Sequence, residues 1–434
     1  MSLRFVGLGP EGSGEGPAKA AVGWREAIDG GTAPDGSLWV PVEVPSTFGE
    51  RWGATQRASF GVWAAERARD WLDSDVGGAD LEGALDLPVR LRSLGAGIDL
   101  LDLTRGPTGA FKDVGARFLA ALWSVAAVSG HRSRTVLTAT SGDTGGAVAA
   151  AVDGVESLRA VILFPLDRVS DVQRRQFTTR QPKVRAVGVR GTFDDCQTLA
   201  RRAFDDPGLV EACGLVSANS INPGRLLPQA LYHAWAVADG DPRPVVVPSG
   251  NLGNVTAAVL SRSMGASLGE IHAVVNENDA LVRAAAGNPP RSGTAVRTDS
   301  SAMDVGRPSN LSRLRWLAAR EGVDLSELVH PISVPTERAR EAQRWAMEAF
   351  GVMVDPHTAT GVARARDLVG EQPGVRPLVI ETAHPAKFPD VVRKVLGRDA
   401  PDATWLHRAG EEAWTEIDAD AEALTDVLEE GATR

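Results

Sequence analysis

The chain has 434 residues, 43% apolar and 24% charged, with a formal net charge of −10. That is the balance of an ordinary globular protein with room for two or three domains and a large core. The charge argues against nucleic acid or an acidic membrane as partner, so an anionic ligand needs a local cluster working against the global field. Two cysteines, Cys196 and Cys213, form no CxxC pair, which points to a reducing compartment and away from a structural zinc.

In chain order, the N-terminal MSLRFVGLGPEGSGEG lacks the basic-then-apolar layout of a signal peptide. No apolar run approaches the roughly 20 residues of a membrane span, and a cytoplasmic protein is expected. Residues up to about 95 read as helices between Gly/Pro-rich loops, and WGATQRASFGVWAAERARDWL (52–72) has apolar groups at helical spacing. From Asp99 short β-branched runs alternate with Ala-rich stretches. RTVLTAT precedes GGAVAAAV, RAVILF precedes a basic helix, and VRAVGV precedes CQTLARRAF. PVVVP then leads to NVTAAVLSRSMG, EIHAVVN to DALVRAAAG, and PLVIE to a helix starting near Phe388. Such alternation predicts an α/β fold with parallel sheet and ligands at the carboxyl ends of strands. The acidic stretch from Asp418 to Glu430 is expected to cover the surface.

Two strand-to-helix junctions share one layout, SGDTGG (141–146) and SGNLGN (249–254). Glycines there let backbone N–H groups close on an anion at a helix N-terminus; the plainer alternative is two tight turns. Upstream, GPTGAFKD (106–113) sets Lys112 behind a turn. A phosphate-cradling NTPase loop needs Gly-Lys-Ser/Thr, whereas Lys112 stands between Phe111 and Asp113. The GxGxxG fingerprint is missing from every junction. A lysine in a partly desolvated pocket loses basicity and turns nucleophilic toward an aldehyde; the alternative is a surface lysine at a helix start. Pyridoxal phosphate needs both a lysine and a separate phosphate cradle.

At these residues the chain resembles threonine synthase, a pyridoxal-phosphate family of the tryptophan synthase β-like (fold type II) group. APDGSLWVP, GPTGAFKDVGARF, LTATSGDTGGAV, GTFDDCQ, SANSINPGRLLPQ, VPSGNLGNVTAAVL, AMDVGRPSN, DPHTATGVA and TAHPAKFPDVV follow in family order from about Ala33 to Val392. The resemblance implies an N-terminal, mainly helical domain (1–96) and a cofactor-binding region (97–434). The latter would hold two α/β subdomains, the small one at roughly 132–237. Lys112 would bind the cofactor covalently and, once released by substrate, move protons. Gly250, Asn251, Leu252, Gly253 and Asn254 would hold the cofactor phosphate through backbone amides. Thr382 would meet the pyridine nitrogen, or else be a buried Thr satisfying backbone. Ser141, Gly142, Thr144 and Gly145 would take the substrate carboxylate. Asp143 would lie near the cofactor's hydroxyl, or cap a helix. Asn219, Ser220, Asn222 and Arg225 would bind the substrate phosphate, Arg225 with a planar fork, or form a capping network.

The implied reaction eliminates phosphate from Cγ of O-phosphohomoserine and adds water at Cβ to give L-threonine. The alternative is a paralogue acting on a related phosphate or phosphonate amino acid. A monomer or homodimer without nucleic-acid, membrane or metal partners is expected. His357 and His384 lack a metal-hydrolase motif and read as structural. Lys387 either adds positive charge or only snorkels. Arg105, Thr104, Asp167, Leu252, Ser301 and His233 depart from the commonest family pattern. Of these, Arg105 beside the lysine motif is expected to change the charge offered to a substrate tail.

Overall fold

The β-branched runs pair into two sheets that form the frame of the molecule. The computed structural model describes residues 2–9, 20–48, 59–128, 133–166, 169–289, 291, 295–406 and 410–432. A six-stranded sheet runs in the order His330–Ser333, Ile271–Val275, Val245–Pro248, Leu378–Glu381, Ile98–Asp102 and Arg90–Gly95. Its first five strands are parallel, and Arg90–Gly95 is an antiparallel edge. A five-stranded parallel sheet runs Thr415–Asp418, Val184–Arg190, Leu158–Pro165, Arg134–Ala139 and Leu215–Ser217. Strands such as Val245–Pro248 and Ile271–Val275 are buried along their whole length, as expected where helices cover both faces.

The structure differs from the sequence reading at both ends. The N-terminal region also holds an antiparallel sheet, Val22–Gly23, Arg4–Gly7 and Trp39–Pro41; these strands are too short for periodicity to reveal. Arg90–Gly95, assigned by pattern to the N-terminal region, pairs with Ile98–Asp102 in the large sheet. Near the C-terminus, Thr415–Asp418 is a strand of the small sheet, and the helix Ala421–Ala432 buries Leu424, Val427 and Leu428. Its acidic side covers surface while its apolar side closes a core. Asp167 and the first part of the 52–72 stretch lie outside the described residues. Phe60–Ala68 is helical.

Helix ends follow local chemistry. Thr192 and Asp195 form a capping box at the start of Phe193–Phe204, an arrangement contributing about 0.5–2 kcal/mol. Asn222 caps Pro223–Ala236, a helix with every residue buried. Lys112–Val128 begins at the lysine itself, and the loops following Arg134–Ala139, Val245–Pro248 and Leu378–Glu381 converge upon it.

Candidate active site

Lys112 lines a cavity of about 130 Å³, roughly ten times the 10–15 Å³ that one water needs. The turn that positions it is closed by its neighbour. Asp113, 2% exposed, accepts from Thr108 N at 2.9 Å and Thr108 Oγ1 at 2.6 Å. A Cβ on Gly106 would lie 2.4 Å from Asp113 Oδ2, so this glycine is a packing requirement. The carboxylate next to Lys112 is therefore spent on its own turn. Lys112 Nζ stands 3.8 Å from Asp143 Oδ2 and 5.4 Å from the centre of the Phe111 ring. Burial lowers its basicity; Asp143 opposes this, and Arg225 and Lys387 add to it.

Asp143 opens the helix Asp143–Val152 without capping it. Its Oδ1 accepts from Lys387 Nζ at 2.9 Å and Gln173 Nε2 at 2.7 Å. Burial would raise its pKa, but Lys387, Lys112, His357 and Gln173 together hold it far below the usual carboxylate range. Lys387 is fully buried and also donates to Thr108 O at 2.6 Å and Gln176 Oε1 at 3.0 Å. It does not snorkel; it is a core cation built around Asp143.

The two glycine loops behave differently. In the second, among the described residues, no hydrogen bond occupies the backbone N–H groups of Gly250, Asn251, Leu252, Gly253 or Asn254. All five residues line the cavity. Leu252 adopts a left-handed backbone (φ 61°) and caps the helix Gly253–Ser263, strain of the kind that gathers at ligand clamps. A Cβ on Gly250 would meet Ala302 O at 2.5 Å. In the first loop, Thr140 Oγ1 accepts from Gly142 N at 2.9 Å and Gly145 N at 2.8 Å. Gly142 and Gly145 therefore do not offer amides to a carboxylate. They are glycines because a Cβ would strike Gln173 and Thr140. Ser141 and Thr144 do line the cavity.

The Asn219–Arg225 segment divides as well. Ser220 and Arg225 line the cavity, and Ser220 Oγ accepts from Asn251 Nδ2 at 2.7 Å. Arg225, 3% exposed, donates through Nη1 to Ala218 O, and its Nε has no partner among the described residues. Asn219 is at the wall, but its carboxamide is bonded to Thr138 Oγ1 and Ala139 O. Asn222 must be corrected. Its Oδ1 accepts from Gly224 N while Nδ2 donates to Ile28 O and Ser217 O, so the whole side chain is consumed in a cap. Arg105 is corrected too: it is half exposed, pairs with Asp102 at 3.3 Å, and is not a wall residue.

The residues fit pyridoxal phosphate. Among the described residues, Thr382 Oγ1, Ser249 Oγ and Asn254 Nδ2 are buried at the cavity wall without partners. Native interiors seldom leave such atoms unpaired. Thr382 does not satisfy backbone through its hydroxyl, while Asn254 Oδ1 is fixed by Tyr232 Oη at 2.6 Å and His233 Nε2 at 2.9 Å. Facing this cradle, His357 Nε2 accepts from Ala302 N at 3.0 Å and its Nδ1 pairs with Asp355 at 2.8 Å. That imidazole clamps the segment packed on Gly250. His384 instead caps the turn Pro385–Lys387. Sequence reasoning overlooked Gln173, Phe193 and Gln197; only the latter two are wall residues. Their place in GTFDDCQ was the single available signal.

Residues 85–380 match the pyridoxal-phosphate dependent enzyme family, and residues 358–428 match the threonine synthase C-terminal family. The chain is 40% identical to the threonine synthase of Haemophilus influenzae over 74% of its own length and 76% of that protein's. It is 35% identical to that of Serratia marcescens over 88% and 89%. The crystal structure of threonine synthase from Escherichia coli superposes with a TM-score of 0.86 at 31% identity, covering 98% and 99% of the two chains. A PLP-bound threonine synthase from Brucella melitensis also gives 0.86, at 29% identity and full coverage of both chains. The chain belongs to the threonine synthase family of pyridoxal-phosphate dependent enzymes.

Proposed function

We propose that this chain makes L-threonine from O-phosphohomoserine with pyridoxal phosphate, eliminating phosphate from Cγ and adding water at Cβ. One observation carries the reading: a single cavity gathers Lys112, Arg225 and the backbone amides of 250–254, to which no hydrogen bond is made among the described residues. Lys112 is the residue to hold the cofactor, the 250–254 amides its phosphate, and Thr382 Oγ1 its ring nitrogen. Asp143 is assigned to the side of its hydroxyl. When bound, pyridoxal phosphate supplies an aldehyde for the substrate amine and a ring that takes up charge from the carbons being deprotonated.

The chain's own groups do the rest. Burial depresses Lys112, with Arg225 and Lys387 adding to the effect, which makes its neutral amine available to accept and return protons. Asp143 keeps that amine from drifting, and Lys387 keeps Asp143 ionised. Ser220 Oγ and the Arg225 guanidinium receive the departing phosphate. Arg225 falls to about 10 on burial, partly opposed by Asp113, so it stays charged at neutral pH. Ser141 and Thr144, at a helix N-terminus, receive the substrate carboxylate. Phe111, Leu252, Met303 and Val305 wall the cavity, and their apolar surface strengthens each charge interaction within it. The reading is of a cytoplasmic enzyme, monomer or homodimer. No helix among the described residues is long and apolar enough to cross a membrane.

The test is incubation of the purified protein with O-phosphohomoserine and chromatographic identification of the products. Threonine and phosphate in equal amounts are expected. Phosphate accompanied by 2-oxobutyrate in place of threonine would overturn the reading.

A further inference from the structure

Arg313 lies on the helix Leu311–Glu321, outside the cavity, and is 1% exposed. Among the described residues, all of its hydrogen bonds end on neutral oxygens. Nε donates to Trp39 O at 3.0 Å, Nη1 to Ser220 O at 3.2 Å and Asn310 Oδ1 at 2.8 Å, and Nη2 to Ile221 O at 2.7 Å. Among the described residues no carboxylate pairs with it, and burial alone lowers its guanidinium to about 9. Asn310, 0% exposed, passes the connection on by donating Nδ2 to Asn251 O at 2.9 Å. Asn251 in turn donates to Ser220 Oγ. One cation therefore holds the Ser220 turn directly, the Asn251 turn through one carboxamide, and the N-terminal strand Trp39–Pro41 through a carbonyl.

A buried cation without a counter-ion is costly, and removing its stabilising groups costs more. In a chain of net charge −10, this unneutralised charge stands directly behind two turns that offer amides and a hydroxyl to anions. The geometry points to Arg313 as the positioning residue for both anion-binding turns, its uncompensated charge being neutralised only when phosphate groups seat on them. This rests on the functional reading above, in which those groups belong to cofactor and substrate. Trp39 makes the N-terminal sheet part of the same device, since docking that strand supplies one of the four oxygens that keep the guanidinium fixed.

The experiment titrates the holoenzyme with inorganic phosphate at constant ionic strength, following Tm, and compares Arg313→Met and Arg313→Lys with the natural protein. In Arg313→Met, phosphate affinity is expected to fall about tenfold and KM for O-phosphohomoserine to rise by a similar factor, with kcat within about threefold. Arg313→Lys keeps the charge but cannot span the same oxygens, and is expected to show the same change at smaller amplitude. Arg313 would be a mere clip, and the inference overturned, if Arg313→Met altered Tm but left phosphate affinity and KM unchanged. A fall in kcat at constant KM, or a natural holoenzyme that phosphate does not stabilise, overturns it equally. Should Arg313→Met fail to fold, unchanged phosphate affinity in Arg313→Lys has the same force. Absence of threonine formation by the natural protein strikes only the functional reading, because the titration requires no turnover.

Discussion

The loops 141–146 and 249–254 are near twins in sequence and unlike in use. Both follow a parallel strand and open a helix, and both begin Ser-Gly-Asx. In the first, two amides are consumed by Thr140 and the Asx carboxylate is buried against Lys387. In the second, no hydrogen bond among the described residues occupies the five amides from Gly250 to Asn254, and the Asx carboxamide reaches across to Ser220 and Ser309. A glycine-rich turn therefore says that backbone comes close to something. What it comes close to depends on whether a side chain just after the preceding strand has already taken the donors.

The sharpest way to break this comparison is to remove what both loops face. Lys112→Ala is expected to lower turnover by roughly a thousandfold or more and to abolish the visible absorption of the bound cofactor, measured on freshly purified protein. Next comes Lys387→Met, which leaves Asp143 buried with one cation fewer. Loss of one partner of a buried pair costs about 3–5 kcal/mol, read by urea denaturation. Asp143 is held low in the folded state, so its stabilisation is present above the unfolded pKa and disappears as pH falls through the folded one. In Lys387→Met the folded pKa of Asp143 rises, so that loss is complete at higher pH, and an unchanged acid limb would refute the pairing.

Within the second loop the glycines themselves provide a matched pair. Gly250→Ala drives a Cβ into Ala302 O, whereas at Gly253 the nearest atom is 3.5 Å away. The first should weaken cofactor retention by about 1–3 kcal/mol of overpacking, while Gly253→Ala stays within about 1 kcal/mol. Equilibrium dialysis of the cofactor separates them.

The smallest expected effect tests the strand beneath the site. Burial raises Glu381 to about 7, with Arg92 opposing and Asp102 reinforcing the shift. A carboxyl with a raised folded pKa gives stability that is complete below its unfolded value and lost as pH rises through the folded one. Glu381→Gln, neutral throughout, should therefore gain in Tm relative to the natural protein between pH 5 and pH 8. A difference that stays flat across that range would show Glu381 to be ionised throughout, in keeping with its 2.6 Å contact to Arg92.

How much of this was legible follows from where each signal resides. Alternation of β-branched and Ala-rich runs is local, so parallel sheet was readable from Asp99 onward, whereas the division into two subdomains came from the family resemblance. Lys112 behind GPTG and the paired glycine loops stood out only in combination, because a lysine at a helix start or a single glycine turn is commonplace by itself. Hydrogen-bond destinations are not local. Asn222 is spent partly on Ile28 O, 194 residues away, and Lys387 is enclosed by Thr108 and Gln176 from two distant elements. Arg105 stands next to the right motif but faces Asp102 on the outside, because a residue beside a turn shares its address and not its direction. Arg313 carries no motif at all; only the assembled fold reveals what its four oxygens surround.

The strand Thr415–Asp418 completes the small sheet beside Val184–Arg190, more than 200 residues after it. During synthesis, therefore, four of that sheet's five strands leave the ribosome and wait, with one edge unpaired, while the rest of the chain is made. Truncation before residue 415 removes one border strand of the small sheet, so a C-terminal deletion far from Lys112 should yield aggregation-prone protein.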